Sequence, residues 1–547
     1  MTFFAISLFL FGFLSPFGVN ATAAQVNEDL LNRLSAERQL AGVTLSLSGD
    51  YLAGLVAKGE DQQVYVWSTD NPVFTNTSEF YTNLKLNTDD TKHIEALPYR
   101  RSEINWLSWS GGNHLILSLK EKGLVLYDAD KRRLRPLIDP LIGGGPRPNE
   151  LPPSLLSTVP SQPGKVIMQW EDPAVTGFPA VYEVDILKGR SKKIVGAWKP
   201  VVRWWASANG EIHAGEGYRN RRHRVYGRDT EGGWHLVHEN DVFKDPAYII
   251  LNVKNNGKHM TVISEGEGDK RALWRAEIAT GAGIERLATA EGFDISDREG
   301  FRTSNVGNQN VRDQSTRDQA ALGINGFDIE GAVFDEIGDR ILAASYSNLQ
   351  NEQIFIDEQF ESRHRLVAAR LKRRPVDDTA RLWLAGVNVA RDKYLYQVRS
   401  EKHPIRYFYH DQKTDLLVDL EGVGVEGGVY YDFHRTTAVQ IPISRHKNTA
   451  EMQAILSVPK NKNGKLTLSG KGVILIHGGP VRRSRLQYNR LLNWLTANGY
   501  SVLQPNYRGS SGYGAKWRKS GYREWGADMQ RDITAAAKWM LSAGYVD

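Results

Sequence analysis

The chain has 547 residues, of which 41% are hydrophobic, 24% are charged and none is cysteine. This length exceeds that of one ordinary domain, and the lack of cysteine excludes both disulfide bonds and thiolate metal sites. The 69 basic and 63 acidic residues give a net charge of only +6, and the two signs are largely interspersed. A nucleic-acid-binding protein needs a continuous basic face, so we predict no nucleic-acid partner.

The N-terminus has the pattern of a secretory signal. An apolar run from Phe3 to Leu14 is followed by small residues, and Ala21-Thr22-Ala23 fits an A-x-A cleavage site. The apolar run is too short for a comfortable membrane-spanning helix. We therefore predict a signal peptide over residues 1–23, a periplasmic or secreted protein, and no stable membrane span once the signal is removed.

From about residue 40 to residue 420, short β-rich segments alternate with polar turns. The clearest unit, Ile104–Leu137, has four strand-like segments separated by Gly-Gly-Asn, Lys-Gly and Asp-Ala-Asp turns. Related units begin near residues 42, 165, 201, 248, 327 and 380. A four-stranded propeller blade takes roughly 40–50 residues. Region 40–420 is therefore predicted to be a β-propeller of about seven blades, with a two-sheet sandwich as the competing all-β fold.

Three irregular stretches interrupt or end this pattern. Asp139–Pro153 and Asp297–Asp318 are predicted to be long loops within the propeller, because they are rich in turn-forming and polar residues. Glu421–Gly428 marks a change in composition and is the predicted boundary between two domains.

Residues 429–547 alternate predicted strands and helices. The segments AVQIPISR and MQAILSVP look like paired strands, and Val473–Ile476 is continuously apolar, as in a strand covered on both faces. A helix is predicted over Arg485–Asn498, a strand over Tyr500–Gln504, and a second helix over about Gly526–Ala543. This order predicts a parallel α/β sheet.

The apolar strand ends in His477-Gly478-Gly479-Pro480. One interpretation is a simple turn, since glycine permits a positive φ and proline ends strand pairing. The other is that the glycine amides let a carbonyl oxygen approach closely and stabilise its negative charge during acyl transfer. The four residues alone leave both interpretations open.

Three motifs follow one another in this region: His477–Pro480, the segment ANGYSVLQPNYRGSSGYG (Ala497–Gly514) and the segment WGADMQRDITAAAKWM (Trp525–Met540). In this order they resemble the prolyl oligopeptidase family of serine peptidases, in particular its acylaminoacyl-peptidase and dipeptidyl-aminopeptidase-like branches. The resemblance is close over Gly472–Asp547 and implies that residues 429–547 are part of an α/β-hydrolase domain. It also implies hydrolysis of short peptides through an acyl-enzyme, without a metal or organic cofactor.

The resemblance extends to individual residues of this chain. It makes the amide of Gly479 an oxyanion-hole donor. His477 lies where other branches of the family place a tyrosine for the same purpose, and we assign His477 and Gly478 to substrate binding. Tyr507 and Arg508 belong to a loop near the family's active site and are further substrate-binding candidates, with a purely structural role as the alternative.

The family's Ser, Asp and His triad should begin beyond the second predicted helix, with the serine in a G-x-S-x-G turn. The 547 residues contain no G-x-S-x-G, and the nearest imitation, Gly509–Gly512, has the wrong spacing and precedes that helix. There is no HExxH motif, and His235 with His238 does not make a metal site. We therefore expect a C-terminally truncated, incomplete hydrolase domain that lacks the triad and is inactive alone.

Two other functions remain open at this stage. The propeller could present its loops to a partner in a noncatalytic binding protein, or the enzyme could be an esterase of the same fold. The sequence has no Tyr-Glu-Glu run comparable to that with which dipeptidyl peptidases clamp a free amino terminus. Exopeptidase or endopeptidase specificity, and the oligomeric state, are therefore left undetermined.

Overall fold

The structure is a computed structural model, and the part of the chain that it describes is given by these ranges: 40–58, 61–70, 81–83, 94–121, 123–138, 152–266, 268–289, 329–335, 339–346, 352–372, 380–420, 432–445, 448–461, 463–479 and 481–547. The predicted signal peptide, the loop predicted over Asp297–Asp318 and the boundary predicted at Glu421–Gly428 lie outside these residues. So do Pro480 and residues 139–151 of the other predicted loop.

Within the described residues, the first three sheets are four-stranded and antiparallel. Sheet 1 contains β1 (Leu40–Leu45), β2 (Tyr51–Lys58), β3 (Asp61–Ser68) and β5 (Ile94–Arg100). A short 3-10 turn (Arg101–Glu103) leads to sheet 2, with β6 (Ile104–Ser110), β7 (His114–Leu119), β8 (Gly123–Asp128) and β9 (Arg133–Pro136). Sheet 3 contains β10 (Ser154–Ser157), β11 (Lys165–Asp172), β12 (Val175–Asp185) and β13 (Arg190–Val195).

Four further sheets follow up to residue 420. Sheet 4 contains β14 (Val201–Ala206), β15 (Ile212–Arg219), β16 (Arg222–Arg228) and β17 (Trp234–Asp241). Sheet 5 contains β18 (Tyr248–Val253), β19 (His259–Ser264), β20 (Ala272–Glu277) and β21 (Gly283–Ala288). Sheet 6 contains β22 (Ile329–Phe334), β23 (Ile341–Tyr346) and β24 (Glu352–Phe355), followed by helix α1 (Glu358–Lys372). Sheet 7 contains β25 (Arg381–Val387), β26 (Lys393–Arg399), β27 (Arg406–Asp411), β28 (Leu416–Asp419) and, parallel to β28, β4 (Tyr81–Asn83).

These seven sheets are the blades of a β-propeller, which confirms the predicted fold class and rules out a two-sheet sandwich. Strand β7 shows why the blades stack, because all six of its residues are buried. Leu115 and Leu117 pack towards blade 1, whereas Ile116 between them packs towards blade 3. Burying each of these side chains stabilises the fold by roughly 1.5–3 kcal/mol.

The propeller ring closes between blades 1 and 7 without a covalent link. Val389 donates a backbone hydrogen bond to Leu47 over 2.9 Å, and the hydroxyl of Tyr407 accepts one from the amide of Gly42 over 3.1 Å. A shared apolar cluster, which includes Leu40 and Val418, fills the space between the two blades.

The structure corrects two details of the predicted propeller. Blade 3 begins with the four-residue strand β10, although the sequence pattern placed its start near Lys165, which is the first residue of β11. Helix α1 was not predicted, because its charged sequence lies within a region dominated by strand patterns. Its buried residues Phe360, Val367 and Leu371 pack on blades 6 and 7.

After the propeller, a four-stranded sheet has the order β29-β30-β32-β31. Its elements are β29 (His434–Arg445), β30 (Asn448–Pro459), β31 (Gly472–Ile474), α2 (Arg490–Ala497), β32 (Ser501–Pro505), α3 (Ala515–Lys519) and α4 (Asp528–Ser542). Strands β31 and β32 are parallel, and α4 packs across the sheet through Met529, Ala536 and Met540. This confirms the partial α/β-hydrolase fold.

In this part of the chain, the bounds of one strand and one helix differ from the prediction, and one helix is additional. Strand β31 has only three residues, none of them fully buried, because its outer side pairs with no strand in the described part of the chain. Helix α2 begins at Arg490 rather than Arg485, since Asn489 caps it by accepting hydrogen bonds from two backbone amides. The short helix α3 was not predicted.

The hydrolase part docks on the propeller through blade 5. Asp269 accepts hydrogen bonds from the amides of Ala515 and Lys516, both over 2.7 Å, at the start of α3. Arg518 on the same helix forms a buried ion pair with Glu265 over 2.8 Å. Removing one partner of a buried ion pair strongly destabilises a protein, because the other charge is left uncompensated. This pair therefore fixes the contact between the hydrolase part and the propeller.

Candidate functional site

Among the described residues, the two glycine amides of the loop that follows β31 have no hydrogen-bond partner. Gly478 and Gly479 are both exposed, and neither amide donates a hydrogen bond within the described residues. Gly479 has φ +125°, and a Cβ there would lie 3.1 Å from the backbone nitrogens of Val481 and Arg482. This backbone conformation suits glycine alone, so the orientation of these amides depends on residue 479 lacking a side chain.

His477 is held by the loop that follows β32. Its ring stacks on Tyr507 with centroids 4.5 Å apart and planes at 8°, and the Tyr507 hydroxyl donates to the His477 carbonyl over 2.8 Å. Its Nε2 lies 2.9 Å from the Ser510 hydroxyl oxygen, which itself donates to the Tyr507 carbonyl over 2.6 Å. Its Nδ1 lies 3.2 Å from the carbonyl oxygen of Gly478, so each ring nitrogen has one polar neighbour.

Burial lowers the pKa of His477, although the carbonyl of Gly478 beside Nδ1 partly opposes this shift. The imidazole is consequently neutral near pH 7, and both of its ring nitrogens lie beside polar groups of the protein. The backbone amide of Gly479, rather than the ring of His477, is therefore free to donate to a ligand.

Ser510 lies in Gly509–Gly512, the segment of the chain most similar to a G-x-S-x-G motif. Its environment nevertheless differs from that of a catalytic nucleophile. The side chain is fully buried, and its proton is donated to the carbonyl of Tyr507. A nucleophile has to be reachable by substrate, and this hydroxyl is not. Ser510 therefore fixes the loop geometry.

The structure places Arg508 away from solvent, with 2% of the residue exposed. Its backbone amide and Nε donate to Asp532 over 3.0 and 2.8 Å, its Nη2 donates to the same carboxylate over 2.7 Å, and its Nη1 donates to Asp528. Hydrogen bonding to Asp532 raises the pKa of Arg508. These contacts favour the structural alternative, since they join the loop to helix α4.

A cleft of about 490 Å³ opens beside the glycine loop. It is lined by Leu475, Ile476, His477, Gly478, Val481, Arg482, Arg483, Ser484, Arg485, Gln487, Asn489, Gln504 and Ser511. The wall beyond the glycines is held by Asn506, which is buried and pairs with both backbone groups of Ser484, over 2.7 and 3.2 Å. His477 and Gly478 thus line one cleft, whereas Tyr507 and Arg508 lie behind its wall.

Three arginines of this cleft were missed by sequence reasoning, although their signal, Arg-Arg-Ser-Arg just after the glycines, is visible. Arg483 and Arg485 both pair with Glu330 of blade 6, over 2.8 and 3.0 Å. The guanidinium of Arg483 occupies the space that a Cβ on Gly512 would fill, with Nη1 only 1.4 Å from that position. The propeller thus borders the cleft.

No group of three metal-ligating His, Cys, Asp or Glu side chains occurs among the described residues. Within that same part of the chain, no helix combines the length and the apolar character needed to cross a membrane.

Comparisons with known proteins agree with the motifs. Residues 486–547 match the model of the prolyl oligopeptidase family. The chain is 24% identical over 230 residues to dipeptidyl aminopeptidase BIII of Pseudoxanthomonas mexicana. This alignment covers 40% of this chain and 30% of the relative. It is also 43% identical over 74 residues to dipeptidyl peptidase family member 6 of Caenorhabditis elegans. That alignment covers 14% of this chain and 10% of the relative. The matched segments therefore span less than a third of either relative.

Solved structures share the fold over most of the chain. A prolyl endopeptidase structure aligns with a TM-score of 0.59 at 12% identity, over 95% of this chain and 69% of that one. A puromycin-hydrolyzing peptidase from Mycobacterium tuberculosis aligns with a TM-score of 0.57 at 15% identity, over 94% and 73%. At such low identities, structural similarity supports a shared fold only. Similarity to the family is supported by the motifs and by the family model. The chain is therefore similar to the prolyl oligopeptidase family, whose model its residues 486–547 match.

Proposed function

We propose that this chain forms the propeller and the oxyanion-binding part of a serine peptidase that hydrolyses short peptides through an acyl-enzyme. The observation that carries the proposal is the pair of partnerless amides at Gly478 and Gly479, next to an open cleft at the end of a parallel strand. Amides fixed in this way stabilise the oxyanion that develops when a peptide carbonyl is attacked, and one such donor is worth about 10²–10³ in kcat.

The proposed division of labour assigns binding of the oxyanion to Gly479 and positioning to its neighbours. Tyr507 and Ser510 hold His477, and His477 directly precedes the two glycines. A backbone donor that is already oriented requires no reorganisation during the reaction. We assign no contact with substrate to Tyr507 or Arg508, since both side chains are buried.

Short peptides are the proposed substrates because the propeller lies against the cleft. Glu330 of blade 6 pairs with two of the arginines that line it, and Asp269 of blade 5 holds the nearby helix α3. A folded protein would have to displace these contacts to present a scissile bond, whereas a short peptide would not.

We further propose that the attacking serine is not among these 547 residues, which contain no G-x-S-x-G. The purified chain should then release no product from aminoacyl or peptidyl chromogenic substrates, and a fluorophosphonate probe should label no serine in it. The nucleotide sequence after codon 547 gives an independent check, because a frame that continues into a Gly-x-Ser-x-Gly turn, with later Asp and His codons, would support the peptidase. Turnover by the purified chain, or labelling of Ser510, would contradict this placement of the nucleophile.

Export to the periplasm or the medium is part of the proposal and is supported by the apolar N-terminal run and the A-x-A site at Ala21-Thr22-Ala23. Cell fractionation with N-terminal sequencing tests it, and the expected mature N-terminus follows residue 23. An uncleaved cytoplasmic product would be evidence against export.

A further inference from the structure

The cleft beside the glycine loop carries an excess of positive charge. Its lining within the described residues includes Arg482, Arg483 and Arg485 but no Asp or Glu. Glu330 lies behind this lining and pairs with Arg483 and Arg485. Glu330 pairs with two of the three guanidinium groups, so the cleft keeps an excess of positive charge.

One of these guanidinium groups has donors to spare. Arg482 is exposed, and its side chain forms no ion pair or hydrogen bond with the described residues. The side chain of Arg485 is 30% exposed, but its Nε is buried and has no hydrogen-bond partner among those residues. An arginine fork with free N–H groups matches the two oxygens of a carboxylate.

A fourth arginine adds to the same field from the propeller. Arg399, the last residue of β26, stacks on Trp383 at 3.9 Å. Burial lowers the pKa of Arg399 to about 10, with Tyr407 opposing and the positive charge of Arg485 adding to the shift. An anion that binds near like charges relieves their repulsion.

One member of the cluster is held in place before any ligand arrives. The side chain of Arg483 is 2% exposed, its Nη1 donates to the carbonyl of Ser511 over 3.4 Å, and its guanidinium lies 5.6 Å from the ring of Tyr513. The guanidinium fills the space that the missing side chain of Gly512 leaves, so this arginine has little freedom to move. Arg483 therefore contributes its charge without an ordering cost.

We infer that this cleft is a subsite for a carboxylate of the peptide substrate. The inference deepens the proposed function and rests on it, because the same cleft borders the glycine amides. The carboxylate could come from an acidic side chain of the peptide or from its C-terminus, since both present the same two oxygens.

Binding to the 547-residue chain tests this inference without requiring catalysis. We propose calorimetric titration with acetyl-Ala-Ala-Glu-amide against acetyl-Ala-Ala-Gln-amide, and with acetyl-Ala-Ala-Ala as free acid against its amide. The first pair reports an acidic side chain and the second a C-terminal carboxylate. In at least one pair the charged member should bind about tenfold more tightly, as expected for one charge-assisted contact.

The variant Arg482→Gln should remove most of that preference, and because the side chain is exposed the variant should keep the melting temperature of the parent. Arg435→Gln is the matched control, since it removes one exposed positive charge from β29 outside the cleft and should leave the preference unchanged. The preference should also shrink at about 0.5 M salt, where charges are screened over a few ångströms.

The outcomes separate the two proposals. If charged and neutral peptides bind equally, or if Arg482→Gln and Arg435→Gln behave alike, the carboxylate subsite is wrong, whereas the peptidase proposal stands as long as peptides bind. If glutarate alone binds in a manner that depends on Arg482 but no peptide does, the subsite is kept and the peptidase proposal is weakened. If no anion binds up to about 10 mM, the subsite is overturned.

Discussion

The two loops at the carboxyl ends of β31 and β32 carry adjoining family motifs, yet the structure uses them in different ways. After β31, Gly478 and Gly479 expose amides with no partner among the described residues. After β32, the side chains of Asn506, Tyr507 and Arg508 are each bound to a neighbouring segment. The motifs that identify a family therefore contain two kinds of residue. Some can bind a ligand, and others hold the binding residues in position.

The strongest way to break this comparison is to remove the support of the second loop. In Asp532→Ala, Arg508 loses three hydrogen bonds and stays buried, with Asp528 and the carbonyl of Ser444 as its remaining hydrogen-bond acceptors. We expect the free energy of unfolding to fall by about 3–5 kcal/mol, because a buried charge is left without most of its compensation. Urea denaturation followed by tryptophan fluorescence measures this change.

The control for this prediction is Arg531→Gln on the same helix. Arg531 is 69% exposed where it pairs with Asp528, so its loss should change the free energy of unfolding by less than about 1 kcal/mol. Equal effects of the two variants would show that Arg508 does not anchor the loop.

The first loop is tested by adding a methyl group to each glycine. Gly479→Ala should destabilise the protein by about 1–3 kcal/mol, since φ +125° is unfavourable for alanine and its Cβ would press on two backbone nitrogens. Gly478→Ala should stay within about 0.5 kcal/mol, because no atom lies within 4 Å of the added carbon. Thermal melting of the two variants compares them, and the reverse order would refute the proposed role of Gly479's conformation.

Ser510→Ala distinguishes a structural serine from a nucleophile. Removing the hydroxyl takes a hydrogen-bond partner from the Tyr507 carbonyl and from Nε2 of His477, which should lower the free energy of unfolding by about 1–2 kcal/mol. Chemical denaturation gives this value. A variant as stable as the parent would mean that Ser510 does not organise the loop.

The smallest expected effect is on the pH dependence of stability. Because burial holds the pKa of His477 below its ordinary value of about 6.5, the unfolded chain binds a proton more readily than the folded one. The contribution of His477 to stability is therefore complete above about pH 6.5 and is lost as the pH falls towards the lowered pKa. Melting temperatures between pH 8 and pH 5 should fall less steeply in His477→Gln, and parallel curves would contradict the lowered pKa.

Periodicity was enough to predict the propeller, because strands separated by turns recur along the chain whatever their partners. It could not reveal β10, which has only four residues, or α1, whose buried positions depend on contacts with blades 6 and 7. The role of Arg508 was equally hidden. Its carboxylate partners stand on the next long helix, and only the fold brings Asp528 and Asp532 to it.

The site shows the same division. The pattern His-Gly-Gly-Pro indicated bare amides, because glycine has that property in any context. The stacking of His477 on Tyr507 could not be foreseen, since it requires that two parallel strands end side by side. The net charge of the cleft depends on how many carboxylates the propeller brings to the arginines. Glu330 of blade 6 pairs with two of them, and no local sequence pattern encodes this contact.

Gly512, which has no side chain, constrains how the sequence of this protein can evolve. Any larger residue there would expel the Arg483 guanidinium, and Glu330 would then keep one cationic neighbour instead of two. Substitutions at these three positions should therefore be accepted together or not at all, although they lie in different parts of the chain. A gap in one loop thereby constrains the sequence of the propeller.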